Sequence, residues 1–184
     1  MEACRRARTM RARHADMLKP QRLTMRTTDF GAGSLFRVFR STARCEGDVV
    51  GVVEGFVVPP LGLLHLDSMR IYNSRLREQR GAFGVGLSLG LETALYGYET
   101  GCHTAELLAI NDDDHTHRRL VRYYRRLGCV PVCEVTGDKP GDVAHMLVWG
   151  GAGTRMDFDV RGVLEKWGLW SNDDDDDDDE DIAR

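Results

Sequence analysis

The 184-residue sequence predicts a single mixed α/β domain, and three stretches carry that expectation. Val49 to Val58 is a β-branched run stopped by Pro59-Pro60, and Leu61 to Ile71 follows as a second strand-like run. Gly81-Ala82-Phe83-Gly84-Val85-Gly86 opens a segment with Leu87, Leu91, Leu95 and Tyr98 at helical spacing, which predicts a helix to about Thr100. Thr104 to Gly128 reads as a buried strand (Ala105 to Ile110), an acidic elbow (Asn111 to Asp114) and an amphipathic helix. In that helix Leu120, Val121, Tyr124 and Leu127 fall on one stripe. The aspartates at 112–114 can cap its first N–H groups, and Gly128 suits the left-handed position after its end. A strand that ends in a polar elbow where a helix begins is a common place for a ligand.

The remaining elements follow from the same cues. The pattern becomes strand-like from Arg22, with Leu35 to Phe39 alternating imperfectly, and Gly47-Asp48 can turn that strand into the run at 49–58. In the strand at 61–71, period two places His65, Asp67, Met69 and Ile71 on one face and Leu64, Leu66, Ser68 and Arg70 on the other. Gly90 and Gly97 each cost the helix roughly 1 kcal/mol against alanine, which close packing on the sheet would offset. Val130 to Val135 and Ala144 to Trp149 read as two further strands, Gly150 to Gly153 as a flexible link, and Val160, Val163, Leu164 and Trp167 as a short final helix.

The net charge of −4 conceals three unlike segments. Residues 1–26 hold eight Lys/Arg against two acids and read as a disordered basic arm or an organelle-targeting segment. The folded body spans 27–170 and is near neutral. Residues 171–184 contain nine consecutive acids, Asp173 to Asp181, which repel one another and read as a disordered tail able to engage a basic partner. No apolar run approaches the ~20 residues that span a bilayer. Five cysteines without framework spacing point to free thiols in a reducing compartment. The expectation is a soluble intracellular protein, in a plastid or mitochondrion if the arm is a targeting segment and otherwise cytoplasmic.

Two patterns bear on chemistry. Glycines at a helix start let backbone N–H groups approach a phosphate, and Arg75, Arg77 and Arg80 add charge just before Gly81. The turn is not a P-loop, since Gly-Lys-Ser/Thr is absent. Asp112 to Asp114 with His115 and His117 offers metal-ligand atoms, but capping explains the aspartates better and no zinc spacing is completed, so no metal is expected. Cys129 and Cys133 are expected to share one strand face as small packing residues. Five arginines on the second helix (118, 119, 122, 125, 126) read as a solvated or phosphate-contacting face, not a nucleic-acid module.

The order strand, glycine-opened helix, strand ending Leu-Leu-Ala-Ile-Asn, helix ending Tyr124-Arg125-Arg126-Leu127-Gly128-Cys129, then strand resembles the GNAT superfamily of acyl-CoA-dependent N-acyltransferases over roughly residues 35 to 150. The resemblance implies a central mixed, mostly antiparallel sheet flanked by helices, with an abbreviated N-terminal part. It also implies acetyl-CoA as cofactor and a small-molecule or peptide amine as acceptor. By position, Arg80, Gly81, Phe83, Gly84, Val85 and Gly86 would hold the coenzyme A pyrophosphate. Backbone groups of Met69, Arg70 and Ile71 would steady the thioester carbonyl.

Asn111 or His117 would contact the cofactor from the elbow, since Asn111 lies 13 positions before Tyr124 where the family has seven, and His117 fills the seven-residue position. Arg80 also stands four residues before Gly84 instead of three. Tyr124 would protonate the departing thiolate, a match to a phenol of pKa near 10. Glu106, Asp67 and His65 are the candidate bases for the amine, with a water relay as the alternative. A second reading is a non-catalytic relative that keeps the fold and serves as a coenzyme A-binding or protein-interaction module.

Overall fold

A computed structural model describes residues 2–31, 33–72, 82–136 and 150–171. Among them lie four α-helices and seven strands: α1 (Glu2–Leu18), β1 (Leu23–Asp29), β2 (Arg37–Cys45), β3 (Asp48–Val58), β4 (Leu63–Ile71), α2 (Ala82–Glu99), β5 (Thr104–Ile110), α3 (Asp114–Leu127), β6 (Val130–Val135), β7 (Gly153–Asp159) and α4 (Val160–Lys166). The strands form one sheet in the order β1-β2-β3-β4-β5-β7-β6. Only β4 and β5 run parallel; every other pair is antiparallel. The expected mixed, mostly antiparallel sheet flanked by helices is therefore present. None of the helices described is long and apolar enough to cross a membrane.

The core lies between one face of the sheet and α2. Phe39, Ala43, Val53, Val57, Leu64, Ala105, Leu107 and Met156 meet Leu89, Leu91 and Leu95 there. Gly97 is where the helix comes closest, since a Cβ on it would stand 2.9 Å from Leu64 Cδ2. Gly90 is not so constrained, with Leu127 Cδ1 at 3.8 Å.

The N-terminal segment departs from the expectation of a disordered arm. Residues 2–18 form α1, and Leu23 to Asp29 pairs with β2 along its whole length. Arg6, Met10, His14 and Leu18 are buried at a four-residue spacing. Half of that stripe is ionisable, so it reads as polar in the sequence. His14 Nδ1 lies 3.3 Å from Glu92 Oε2, Arg11 bonds Glu92 and Glu99 at 2.7 Å, and Thr27 donates to Glu92. The Arg6 guanidinium sits 4.3 Å from the centre of Trp170. Between β1 and β2 no helix occurs among the described residues, and α1 packs on α2 ahead of β1 instead.

Three smaller corrections follow. The β2–β3 hairpin turns on Glu46 and Gly47, both at positive φ, one residue earlier than expected, and Cys45 pairs with Asp48. Gly153 is not linker but the first residue of β7, whose Met156 and Phe158 point into the core. Cys129 is buried while Cys133 is exposed, because a register shift between Pro131 and Cys133 breaks the alternation. The strand expected at 144–149 lies outside the described residues.

The correction that matters most is in β4. Ser68 pairs with Glu54 and Leu66 with Gly55, so Asp67 is an extra residue without a partner on β3. This bulge reverses the alternation beyond it. Met69 and Ile71 move to the core face with Leu64 and Leu66, and His65 stays on the opposite face. Gly55 makes the bulge feasible: a Cβ there would stand 2.1 Å from the His65 carbonyl oxygen.

Candidate active site at the opening between two parallel strands

Strands β4 and β5 pair over only four positions, Leu63–Leu66 against Thr104–Leu107. Beyond Leu66, β4 continues along β3, and beyond Leu107, β5 continues along β7. The sheet therefore parts at the Asp67 bulge. Backbone polar groups on the two facing edges are left without ladder partners, a demand that a polar extended ligand can meet.

On the helix side of this opening stands Tyr124. It is carried by the apolar stripe of α3, where Leu120, Val121, Tyr124 and Leu127 pack against the core. The α3 ends are built as expected. Asp113 accepts from the His115 and Thr116 N–H groups at 3.0 and 2.9 Å, and Gly128 closes the helix at φ 119°. Tyr124 lines a cavity of about 20 Å³ with Leu66, Met69, Leu107 and Cys129. That is room for little more than one water-sized group. Its hydroxyl has no hydrogen-bond partner among the described residues. Burial, and then proximity to Cys129, pushes its pKa up to about 12, so the phenol keeps its proton at neutral pH.

Tyr123, not singled out by the sequence, shapes the neighbouring wall. Its ring stands 5.2 Å from that of Tyr124, and its hydroxyl lies 2.2 Å from where a Gly86 Cβ would be. Burial raises its pKa well above the ordinary tyrosine value. Gly86 is thus explained by packing against a phenol. No periodicity or motif in a single sequence announces such a pair.

The glycine-opened segment is helical from Ala82, so Gly84 and Gly86 lie inside α2 and not in a preceding loop. The Val85 side chain is buried in the core. Phe83 contributes backbone in the first turn, where N–H groups have no carbonyl four residues earlier within the helix. Arg75, Arg77, Arg80 and Gly81 lie outside the described residues. Of the residues expected on β4, Met69 and Ile71 face the helix side and Arg70 is exposed.

The elbow residues separate. Asn111 is exposed, with its N–H donating to the Ala152 carbonyl at 2.8 Å. His117 turns toward β7, its Nε2 2.8 Å from Thr154 Oγ1, and Thr154 donates to Glu134 at 2.8 Å. A threonine hydroxyl has one proton to give. With that proton on Glu134, His117 Nε2 is the donor, and its role is to hold α3 on the β6–β7 edge.

On the opposite face of the sheet, two of the candidate bases are bonded to each other. His65 Nδ1 lies 2.9 Å from Glu106 Oε1, and Arg155 Nη2 lies 2.9 Å from Glu106 Oε2. His65 is buried and stacks on Phe56 at 4.3 Å, and Arg155 also bonds Asp157. The Glu106 carboxylate is therefore committed to a cation and an imidazole. Asp67 differs: it is exposed at the bulge and has no hydrogen bond or ion pair among the described residues. Arg155 lies in the strand that the sequence reading missed, and the alternation of Met156 and Phe158 was the available signal.

No family model matches the chain, and no curated protein matches it. Several solved structures are similar to it. Nourseothricin acetyltransferase aligns with a TM-score of 0.48 at 17% identity, over 76% of this chain and 85% of that one. A Bacillus subtilis acetyltransferase solved in complex with CoA aligns with a TM-score of 0.48 at 14% identity, over 74% and 99%. Ard1 from Thermoplasma volcanium aligns with a TM-score of 0.44 at 16% identity, over 64% and 68%.

Proposed function

We propose that this chain is an acyl-CoA-dependent N-acyltransferase of the GNAT type, transferring an acetyl group from acetyl-CoA to an amine. The observation that carries the reading is the opening between β4 and β5 with the unbonded Tyr124 hydroxyl on one side of it. The donor set suits the group. First-turn N–H groups of α2 would face the pyrophosphate, and the unpaired edge of β4 from Met69 to Ile71 would bond the amide arm and polarise the thioester carbonyl. When bound, the cofactor supplies an acyl group already activated as a thioester.

Tyr124 would be the general acid, its phenolic proton available to the departing thiolate of a bound thioester. The attacking amine must lose a proton after its nitrogen bonds to the acyl carbon. Asp67 would take it, directly or through water, a role supported by its exposure at the bulge and its lack of a partner among the described residues. Glu106 would serve instead to tie β5 to β4 through His65 and to β7 through Arg155.

A second reading, a non-catalytic coenzyme A-binding or protein-interaction module, is favoured by one observation, the commitment of Glu106 to its own ion pairs. The two readings part in a single comparison of wild type with Tyr124→Phe, using acetyl-CoA and a panel of polyamines, amino acids and peptides. The enzyme reading expects turnover to fall by about 10²-fold or more in the variant. It also expects acetyl-CoA to raise the melting temperature of both proteins alike. Equal turnover in the two would sink the acid role; acetyl-CoA stabilisation without turnover on any acceptor would support the module.

A further inference from the structure

The exposed side of α3 carries a charge that nothing among the described residues answers. Arg118, Arg119, Arg122, Arg125 and Arg126 lie within an arc of about 120° at 100° per residue, opposite the stripe that holds Tyr124. All five are exposed. Arg118 Nε donates to the Asp114 carbonyl; the other four guanidinium groups have no hydrogen bond or ion pair among the described residues. Several arginines elsewhere are paired with carboxylates: Arg11 with Glu92 and Glu99, Arg22 with Glu46, Arg37 with Asp29, Arg40 with Glu54, Arg161 with Glu165. Arg118, Arg122 and Arg125 line a groove of about 350 Å³ between α3 and β6, with Val121 and Pro131 beside them. Glu134 also lines it, but its carboxylate already accepts from Thr154.

We propose that this groove is the docking site for the chain's own acidic segment, Asp173 to Asp181. The charges are complementary, nine consecutive acids for five arginines, and the sequence holds no other acidic run of that length. Reach is sufficient. Trp167 Nε1 donates to the Leu127 carbonyl at 3.1 Å, which anchors the end of α4 beside the last turn of α3. The chain stays on the fold through Trp170, whose N–H bonds the Leu164 carbonyl, and from Ser171 two residue steps lead to Asp173, about 7 Å of extended chain, with the acids spanning up to about 30 Å more. Arg118 to Arg126 covers only about 12 Å of helix.

Covalent attachment places the segment at millimolar effective concentration, ahead of a polyanion in solution. Helix α1 is the competing basic surface, but its Arg11 is paired with Glu92 and Glu99, Arg6 stacks on Trp170, and Arg13 bonds the Leu169 carbonyl. By exposure alone α1 presents two arginines, Arg5 and Arg8, against five on α3.

Arginine footprinting with phenylglyoxal tests this on the full chain, read by mass spectrometry residue by residue. The comparison chain carries each acid of 173–181 replaced by its amide. At low ionic strength Arg118, Arg122 and Arg125 react several-fold more slowly in the native chain than in the amide chain. At 0.5 M NaCl the difference disappears, since a Debye length of a few ångströms screens exposed charges. Equal modification rates in the two chains at low salt overturn the proposal. So does protection that falls on Arg5 and Arg8 instead, or that appears only as protein concentration is raised, which would mean the tail of a second copy.

Discussion

The hydroxyl of Tyr123 occupies the space that a side chain on Gly86 would need, 2.2 Å from the position of its Cβ. Helix α2 and helix α3 are held at a fixed distance by this contact, and Tyr124 is the next residue along. Gly86→Ala is expected to destabilise the fold by about 1–3 kcal/mol through overpacking, although alanine alone would favour the helix. Adding Tyr123→Phe removes the colliding oxygen and should recover much of the loss. Urea unfolding of the two single variants and the double variant checks this; strictly additive effects would show that the contact does not couple the helices.

Gly55 poses the same question against backbone. The His65 carbonyl lies 2.1 Å from where a Cβ would stand, and a strand cannot yield as a side chain can. Gly55→Ala is expected to cost about 3 kcal/mol or more, the upper end for overpacking. Because Gly55 faces the Asp67 bulge, exchange of backbone amides near Leu66 to Met69 should quicken well beyond the global change. Uniform quickening across the sheet would separate Gly55 from the bulge.

Much of this architecture is legible in the sequence where a side chain's character and its burial agree. Leu120, Val121, Tyr124 and Leu127 are apolar and face the core, and Asp113 and Gly128 close α3 as their chemistry dictates. Legibility fails where the two disagree. The stripe that seats α1 contains Arg6 and His14, which are buried with Trp170 and Glu92 as partners in the folded chain. The bulge at Asp67 is invisible for a different reason: it is a relation between β3 and β4, set by Gly55, and period two within one strand cannot report it. At the candidate site, a local motif points to Tyr124, while Tyr123 and the Glu106–Arg155 pair are set by contacts between distant segments.

The Glu92 network makes the seating of α1 dependent on pH. Burial pushes the Glu92 carboxyl up, but bonds from His14 and Thr27 and the charge of Arg11 outweigh it and bring its pKa to about 2. The folded-state value is below the ordinary 4.5, so the contribution is full above pH 4.5 and is lost as pH falls toward 2. Its size is on the order of 3 kcal/mol. Denaturant unfolding between pH 6 and 3 should show stability falling with acid, and Glu92→Gln should flatten that slope while lowering stability at pH 6. A slope unchanged in the variant would assign the acid sensitivity to other carboxylates.

Tyr124 sets a limit at the other end of the scale. Its pKa is raised, from the ordinary 10 to about 12, by burial and then by Cys129. A group raised in this way stays protonated through the range in which an exposed tyrosine begins to ionise. If Tyr124 donates the proton to the leaving sulfur, kcat should show no descending limb assignable to it below about pH 10. Cys129→Ser lowers the burden of the neighbouring thiol and enlarges the cavity slightly, so any limb at high pH should move downward in that variant. The phenolate absorbance of full-length protein, titrated in parallel with Tyr124→Phe, isolates this one tyrosine from the other four. A Tyr124 transition near pH 10 would show that the hydroxyl is solvated and not buried against the opening, and its protonation would then owe nothing to burial.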